Sequence, residues 1–355
     1  MGRSRLFVPV VIGLLGIGAF FYFSQDTTVT ETPASPASTA EEATTLRYGI
    51  NDEKNFNRLP QVIAEREGFF AHEGLEVQIL HFTSSFRAPV EGQDPRSLRD
   101  AMEDGSVDMS RQQLPLLIHD AITGSGRGPY VGVAVTASNP VYFLVVRPEI
   151  NSYDDLRGKT VAVTNLHDGI TVWVQKLMAL NGLQNEDVTL KIIAGSQARS
   201  ACLVAGECDA AILAQPAVFG ALDAGFHSLG ITNEIEPLQY MVDIVKPAWA
   251  AANRDLVLKY IRATTAAMRF IEDPMNRDEV VRVTMEFMNE PEDRVREMLS
   301  YIWDPQNRVL PQLAAIDMNS ISETIALLGE YGVLEQPWPS AERFIDPTYA
   351  NEAEQ

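Results

Sequence analysis

The chain has 355 residues, a formal net charge of −20 and two cysteines. Its length holds one large domain or two moderate ones with ample core. The acidity disfavours nucleic acid and anionic lipid surfaces as partners, since both would repel it, and two cysteines build neither a disulfide framework nor a four-thiolate zinc site.

At the N-terminus, Arg3 and Arg5 precede an uncharged run from Leu6 to Phe23. A helix rising about 1.5 Å per residue over that run approaches the thickness of a bilayer's hydrocarbon core. Residues 1–24 therefore read as an N-terminal hydrophobic helix, either signal or anchor. The nearest small-x-small site, Ser38-Thr39-Ala40, lies well past the apolar end, which favours an uncleaved anchor over a cleaved signal. The positive flank belongs in the cytoplasm and everything after residue 24 outside it. Residues 25–45, rich in Thr, Pro, Ala, Ser and Glu, cannot form a core and read as a disordered linker.

Strand and helix signals alternate from residue 46. Leu46 to Ile50 reads as a strand, and Leu59, Val62, Ile63 and Arg66 recur at helical spacing. Gly68 suits the left-handed end of that helix, and Leu75, Val77 and Ile79 alternate as a second strand does. Such a β-α-β unit predicts a parallel sheet with a ligand crevice at the carboxyl ends of its strands. Strands are expected at 46–50, 75–80, 107–110, 130–137, 141–147, 160–164, 188–193, 208–213, 227–231 and 238–245. After 253 the pattern turns almost wholly helical. Val257, Tyr260, Ile261, Thr264, Met268 and Ile271 share one face, and further helices fall near 276–289, 291–303 and 317–331. The alternation is that of an α/β protein.

Two segments echo one another. Ala101-Met-Glu-Asp-Gly-Ser-Val-Asp108 and Cys202-Leu-Val-Ala-Gly-Glu-Cys-Asp209 each end a helix, turn at glycine and place aspartate at the start of a strand. The echo fits two similar lobes, though any helix-to-strand turn can take this form. Both cysteines fall in the second segment, as buried thiols packing like small hydrophobes or, in an oxidising compartment, as a local disulfide.

The stretch Glu67-Gly-Phe-Phe-Ala-His-Glu-Gly-Leu-Glu-Val77 resembles the signature of periplasmic solute-binding proteins of the nitrate/sulfonate/taurine and thiamine-precursor group. The resemblance continues through Gly105-Ser-Val-Asp108, Ser152-Tyr-Asp-Asp-Leu-Arg-Gly-Lys-Thr-Val-Ala-Val163, Asn181-Gly-Leu183, Gly206-Glu-Cys-Asp-Ala210 and Phe344-Ile-Asp-Pro-Thr-Tyr349, and covers about 46–350. It implies a type II periplasmic-binding-protein-like fold, two α/β lobes with a hinged interlobe cleft. Lobe one would contain 46–140 and return over 232–350, with lobe two at 141–231 and hinges at Asn139-Pro140 and Thr232-Asn-Glu-Ile-Glu-Pro237. The segment 81–96 is longer than the family's usual loop, and the cysteine-rich motif of the fungal pyrimidine synthases that share the fold is absent.

In such sheets, ligand groups come from loops after strands and from helix N-termini. After the first strand, Asn51 and Phe56 offer a hydrogen bond and an aromatic wall. After the third, Arg111 and Gln112 are expected at a helix start, with the Arg111 fork suited to a carboxylate, sulfonate or phosphate. After 160–164, Asn165 or Asp168 caps a helix whose buried face is Ile170, Val174, Leu177 and Met178. His167, Thr171 and Trp173 are expected near the cleft there, with Trp173 placed to stack on a flat or cationic ligand. The family layout adds Tyr142 beside the first crossing and Gln215 after strand 208–213. Each has a bland alternative: a solvated turn, a salt bridge or a core aromatic.

No G-x-S-x-G, HExxH or phosphate loop occurs, and His72, His81, His119, His167 and His227 are scattered without ligand spacing. No cofactor, metal site or enzymatic activity is expected. The resemblance implies the receptor of an ABC importer, a monomer in the periplasm or at the cell exterior, tethered to the inner membrane by its N-terminal helix. Its partners would be a small-molecule solute and the inner-membrane permease. A tethered ligand sensor or assembly partner is one alternative reading. A cofactor-biosynthesis enzyme on the same fold is another, which the export segment argues against.

Overall fold

The computed structural model describes residues 43–51, 55–82, 97–124, 129–139, 141–166, 168–235, 239–311 and 316–355. The N-terminal apolar run, most of the linker, the segment 83–96, Pro140, His167 and 236–238 lie outside the described residues. Among the described residues no helix is long and apolar enough to cross a membrane.

Alternation builds the first strand, β1 (Thr44–Ile50), in which Leu46, Tyr48 and Ile50 are buried together. Gly49 points the other way, against the side chains of Leu98 and Val107, where a Cβ would not fit. Thr44 and Thr45, expected in the linker, already pair with Leu75 and Glu76. Helix α1 (Leu59–Arg66) buries Leu59, Val62 and Ile63 and ends before Gly68, whose φ of 76° starts the short α2 (Phe69–His72). The chain then returns as β2 (Leu75–His81), parallel to β1 along its whole length.

Next come α3 (Leu98–Glu103), β3 (Met109–Gln113), α4 (Leu114–Thr123) and β4 (Val131–Ala137). The chain crosses to a second sheet through β5 (Tyr142–Val146), β6 (Thr160–Val163), α5 (Gly169–Leu180) and β7 (Thr189–Ile192). It continues there as α6 (Ser196–Val204), β8 (Ala210–Ala214), α7 (Ala217–Asp223) and β9 (His227–Ile231). It returns as β10 (Met241–Val245) and then runs through α8 (Pro247–Ala252), α9 (Arg254–Glu272), α10 (Arg277–Met288), α11 (Glu292–Trp303), α12 (Met318–Glu330) and α13 (Thr348–Ala353).

The sheets have orders β2-β1-β3-β10-β4 and β7-β6-β8-β5-β9. In each, three neighbouring strands run parallel and one central strand, β10 or β5, runs against its neighbours. This is an α/β fold of two lobes, each built on its own sheet. Helix α9 lays Val257, Tyr260, Ile261, Met268 and Ile271 on the first sheet, the face that its periodicity predicts. Strand β3 departs from expectation. It reaches Gln113 because Arg111, Gln112 and Gln113 pair with β10, so Arg111 and Gln112 are strand residues and α4 begins after them, with Pro115 in its first turn.

The two echoed turns are the same device. Asp108 takes the backbone N–H of Arg47 on its carboxylate at 2.9 Å, and its own N–H donates to the Arg47 carbonyl at 2.9 Å. Asp209 does the same to Thr160, at 2.9 Å in both directions. Asp108 also receives the Arg47 guanidinium, at 2.9 Å from Nε and 2.5 Å from Nη2. Gly105 and Gly206, with φ of 78° and 73°, reverse the chain just before each aspartate. Hydrogen bonds to charged groups contribute roughly 1.5–3 kcal/mol. Asp108→Ala should therefore cost about 2–3 kcal/mol in a urea melt and Asp209→Ala about half of that; equal, near-zero costs would show that the clamps do not hold the sheets.

Candidate functional site

The carboxyl ends of β1, β3, β6, β7 and β8 open into two adjoining cavities. The larger, about 490 Å³, lies on the first lobe and is lined by Asn51, Arg99, Arg111, Gln112, Tyr130 and Tyr240 among others. The second, about 260 Å³, lies between the sheets, with Phe56 from one side and Thr164, Ser196, Gln197 and Gln215 from the other. Asn55, Asn57, Gln113 and Tyr142 line both. Among the described residues, no His, Cys, Asp or Glu lines either cavity.

Of the residues singled out in the sequence, Asn51, Arg111 and Gln112 line the first cavity, Phe56 and Gln215 the second, and Tyr142 both. Phe56 is also packed against the cores of both lobes, so the wall and core readings hold together. Gln112 donates to Asp120 at 3.0 Å, and Asp120 also takes the Arg99 guanidinium. Gln215 is 8 % exposed, and its Nε2 is fully buried with no hydrogen-bond partner among the described residues.

The helix after β6 corrects three expectations. Trp173 is 3 % exposed, packed on Tyr240 with ring centroids 4.9 Å apart, and lines neither cavity. Thr171 is wholly buried, giving its N–H to the capping carboxylate of Asp168 at 2.9 Å. Asn165 lines neither cavity, and Asp168 supplies the cap instead. The reason is α5's position: Gly169 lies against Pro115, with no room for a Cβ, and Val172 packs among Leu114 and Leu117. The helix face expected in the cleft is thereby spent on the junction between lobes. His167 lies outside the described residues.

Sequence reading missed Asn55, Asn57, Gln113, Ser196 and Gln197. The turn after β7 carried a signal, since Gly195-Ser196 opens a helix at a strand's carboxyl end. Arg199, 1 % exposed, donates from Nε to Ile212 O at 2.6 Å, from Nη1 to Ile193 O at 3.0 Å and from Nη2 to Ser196 Oγ at 3.0 Å. Ser196 Oγ accepts a second bond from Ala214 N–H at 3.0 Å. With both lone pairs engaged, this hydroxyl is left to act as a donor. Burial lowers the Arg199 pKa, against the charges of Tyr142 and Asp168.

Behind Arg111 lies a buried polar network. Arg111 stands directly across the β3–β10 ladder from Asp243, which is wholly buried. The Tyr48 hydroxyl donates to Asp243 Oδ1 at 2.5 Å, Tyr48 stacks on Tyr260 at 5.5 Å, and Gln61 Nε2 donates to the Tyr260 oxygen at 2.5 Å. Burial pushes the Asp243 carboxyl up to about 7, against the opposing pull of the Tyr48 hydrogen bond and the Arg111 charge. Burial, and next the Asp243 charge, push both tyrosines well up.

Residues 55–276 match the family model described as NMT1/THI5 like. A Haemophilus influenzae protein, by its description a thiamine biosynthesis protein, is 30 % identical over 155 residues, 42 % of this chain and 44 % of that one. The chain thus spans less than half the length of this curated relative. Among solved structures, the nitrate-binding protein NrtA from Synechocystis PCC 6803 superposes with a TM-score of 0.70 at 15 % identity, over 88 % of this chain and 89 % of that one. The alkanesulfonate-binding protein SsuA from Xanthomonas axonopodis pv. citri, bound to MOPS, gives 0.66 at 17 % identity, over 86 % and 99 %. At these identities the likeness is one of fold.

The Asp243 carboxyl binds its proton more tightly folded than unfolded, where aspartate titrates near pH 3.9. Stability should therefore fall as pH rises from about 4 through about 7, by a few kcal/mol. Asp243→Asn keeps an acceptor for Tyr48. It should flatten that slope and leave the protein about 2–4 kcal/mol more stable than the parent at pH 8. Urea melts at both ends of the range check this, and an unchanged slope would place the titration elsewhere.

Proposed function

Because this chain belongs to the NMT1/THI5-like family, we propose that it is an extracytoplasmic solute-binding protein of an ABC importer. It captures a small organic solute, anionic or aromatic, between two hinged lobes. Lobe one comprises 46–140 and 232–350, lobe two comprises 141–231, and the two crossings serve as hinges. The N-terminal helix holds it to the inner membrane, on the outer side, where a closed and loaded form meets the permease.

The observation that carries this reading is the second cavity. Groups from both sheets converge on it, and two side-chain amides retain unmet hydrogen-bonding capacity there: Gln113 Oε1 from the first lobe and Gln215 Nε2 from the second. A buried polar group without a partner costs roughly 1–3 kcal/mol. A solute that satisfies both would recover that cost and draw the lobes together. Arg111 in the adjoining cavity supplies the charge for an anionic group. An apolar run left uncleaved would support a second reading, a tethered sensor. A deletion strain that still takes up the solute but no longer responds to it would select the sensor.

The test is a thermal-shift screen of residues 44–355 against sulfonates, nitrate, pyrimidines, flavins, aromatic acids and amines. A solute at 100 times its Kd stabilises the folded state by about 2.7 kcal/mol. Gln215→Ala should weaken any hit about tenfold by titration calorimetry, and Arg111→Ala should weaken an anionic hit at least as much. Unchanged affinity in Arg111→Ala would retire the anion assignment while leaving the receptor reading in place.

A further inference from the structure

The two cysteines take no part in the cleft, yet they are placed together. Cys202 sits in the last turn of α6 and Cys208 just before β8, in one apolar cluster with Phe143, Val145 and Leu213, at 5 % and 1 % exposure. The chain doubles back between them through Gly206, at φ 73°, and the Glu207 N–H donates to the Cys202 carbonyl at 3.0 Å. Both side chains lie in that one cluster, at either end of this turn. Both are free. One flexible side chain lies over them: Lys191, on the edge strand β7, places its ammonium 3.7 Å from Cys202 Sγ and 3.4 Å from the Glu207 carboxylate. It keeps 39 % of its side chain exposed.

We propose that Cys202 and Cys208 are a redox dithiol that closes reversibly to an intramolecular disulfide. Cys202 is the attacking thiol, Cys208 the resolving thiol, and Lys191 the cation that covers and assists the pair. The oxidant is a small-molecule or protein disulfide. Cys202 loses its proton to solvent, and its sulfur attacks one sulfur of the oxidant, forming a mixed disulfide and expelling the first thiolate. The negative charge on the attacking sulfur is met by the Lys191 ammonium. Cys208 then loses its proton, attacks Cys202 Sγ and expels the second thiolate. Two electrons pass to the oxidant, which takes up two protons and leaves as two thiols.

The order of attack follows from burial. Cys208 is the deeper thiol, and burial, and next its contact with Cys202, push its ionisation well up. Cys202 has a cation at its sulfur, on a side chain that can swing aside. The bridge would staple the C-terminal end of α6 to β8, while the other end of the same helix brings Ser196 and Gln197 to the second cavity. Arg199 already ties the middle of α6 to β8 through Ile212 O. Closure therefore locks a helix that is in place and needs no rearrangement of the cleft.

The full chain, held in detergent and freed of reductant, is treated with oxidised glutathione at neutral pH. The expected product has lost the mass of two hydrogen atoms, resists alkylation at both cysteines, melts at a higher temperature and reverts with dithiothreitol. Cys208→Ser should instead accumulate one glutathione on Cys202, Cys202→Ser should stay unmodified, and Lys191→Gln should close roughly tenfold more slowly. Cys208→Ala provides a second trap should the serine not fold. An unchanged mass, stable glutathione adducts on the parent, or closure only in urea would each overturn the proposal.

Discussion

Two aspartates, Asp108 and Asp209, set the direction in which everything functional points. Each clamps the start of one strand to its parallel neighbour, β3 to Arg47 in the middle of β1 and β8 to Thr160 at the start of β6. A parallel ladder is weaker per residue than an antiparallel one and has no hairpin to fix its register. An acceptor that grips the neighbouring N–H at the first rung supplies that register. With the amino ends fixed in both sheets, the carboxyl ends of β1, β3, β6 and β8 must open toward the same gap. The cavities are the consequence of that arrangement, and the loops lining them are the ones free to vary.

The two lobes differ in how they spend buried charge. In the second, Arg199 has no carboxylate bond and is held by two carbonyls and a serine hydroxyl. It fixes the turn after β7 to strand β8 and leaves Ser196 a single remaining role as donor. In the first, Asp243 has Tyr48 as its donor and Arg111 across the ladder. The cation there reaches a cavity, and its charge is backed by a carboxyl that titrates about 7. One lobe thus presents preset neutral donors, and the other presents a cation whose counter-charge depends on pH.

Legibility in the sequence followed the range of the forces involved. Alternation and helical spacing are local, so all ten strands and the long C-terminal helices could be read from neighbours in the chain, as could the glycine turns before Asp108 and Asp209. The length of β3 could not. Its last residues are strand because β10, some 130 residues later, offers them a ladder. Trp173 was misplaced for a similar reason. Helical spacing gives which residues share a face of α5 but not that the opposite lobe takes the face beside Gly169. Tyr142 and Gln215 could be placed by the family's layout, whereas Gln113 looked like a helix residue until its strand was known. Ser196 needed only the rule already applied to the other strands, and the turn after β7 was passed over.

The junction between the lobes is apolar on both sides, and this bears on how they could move. On one side it is apolar: Gly169 on Pro115, Val172 among Leu114 and Leu117, Trp173 on Tyr240, and Leu327 packed against the clusters of both lobes. On the other it is apolar too, with Met288 and Met298 in the cluster of Phe143 and Val145 and Tyr301 edge-on to Phe143 at 5.5 Å, and polar bonds gather at Asn307. Asn307 accepts from Asn139 at its carbonyl at 2.8 Å and from Asn233 at its side-chain oxygen at 2.5 Å, and gives its own amide to Tyr301 O at 3.0 Å. Both crossings are therefore tied to Asn307, and the first also to Val309, whose carbonyl accepts from the Ser138 N–H at 2.9 Å. Amide bonds exchange with water at a net cost of about 1 kcal/mol each, whereas separating a close-packed seam exposes its whole area at about 25 cal/mol per Å². A movement that keeps both apolar seams closed and exchanges the asparagine bonds is the cheaper one. The crossings, where those bonds lie, accordingly serve as the pivots of the proposed closure.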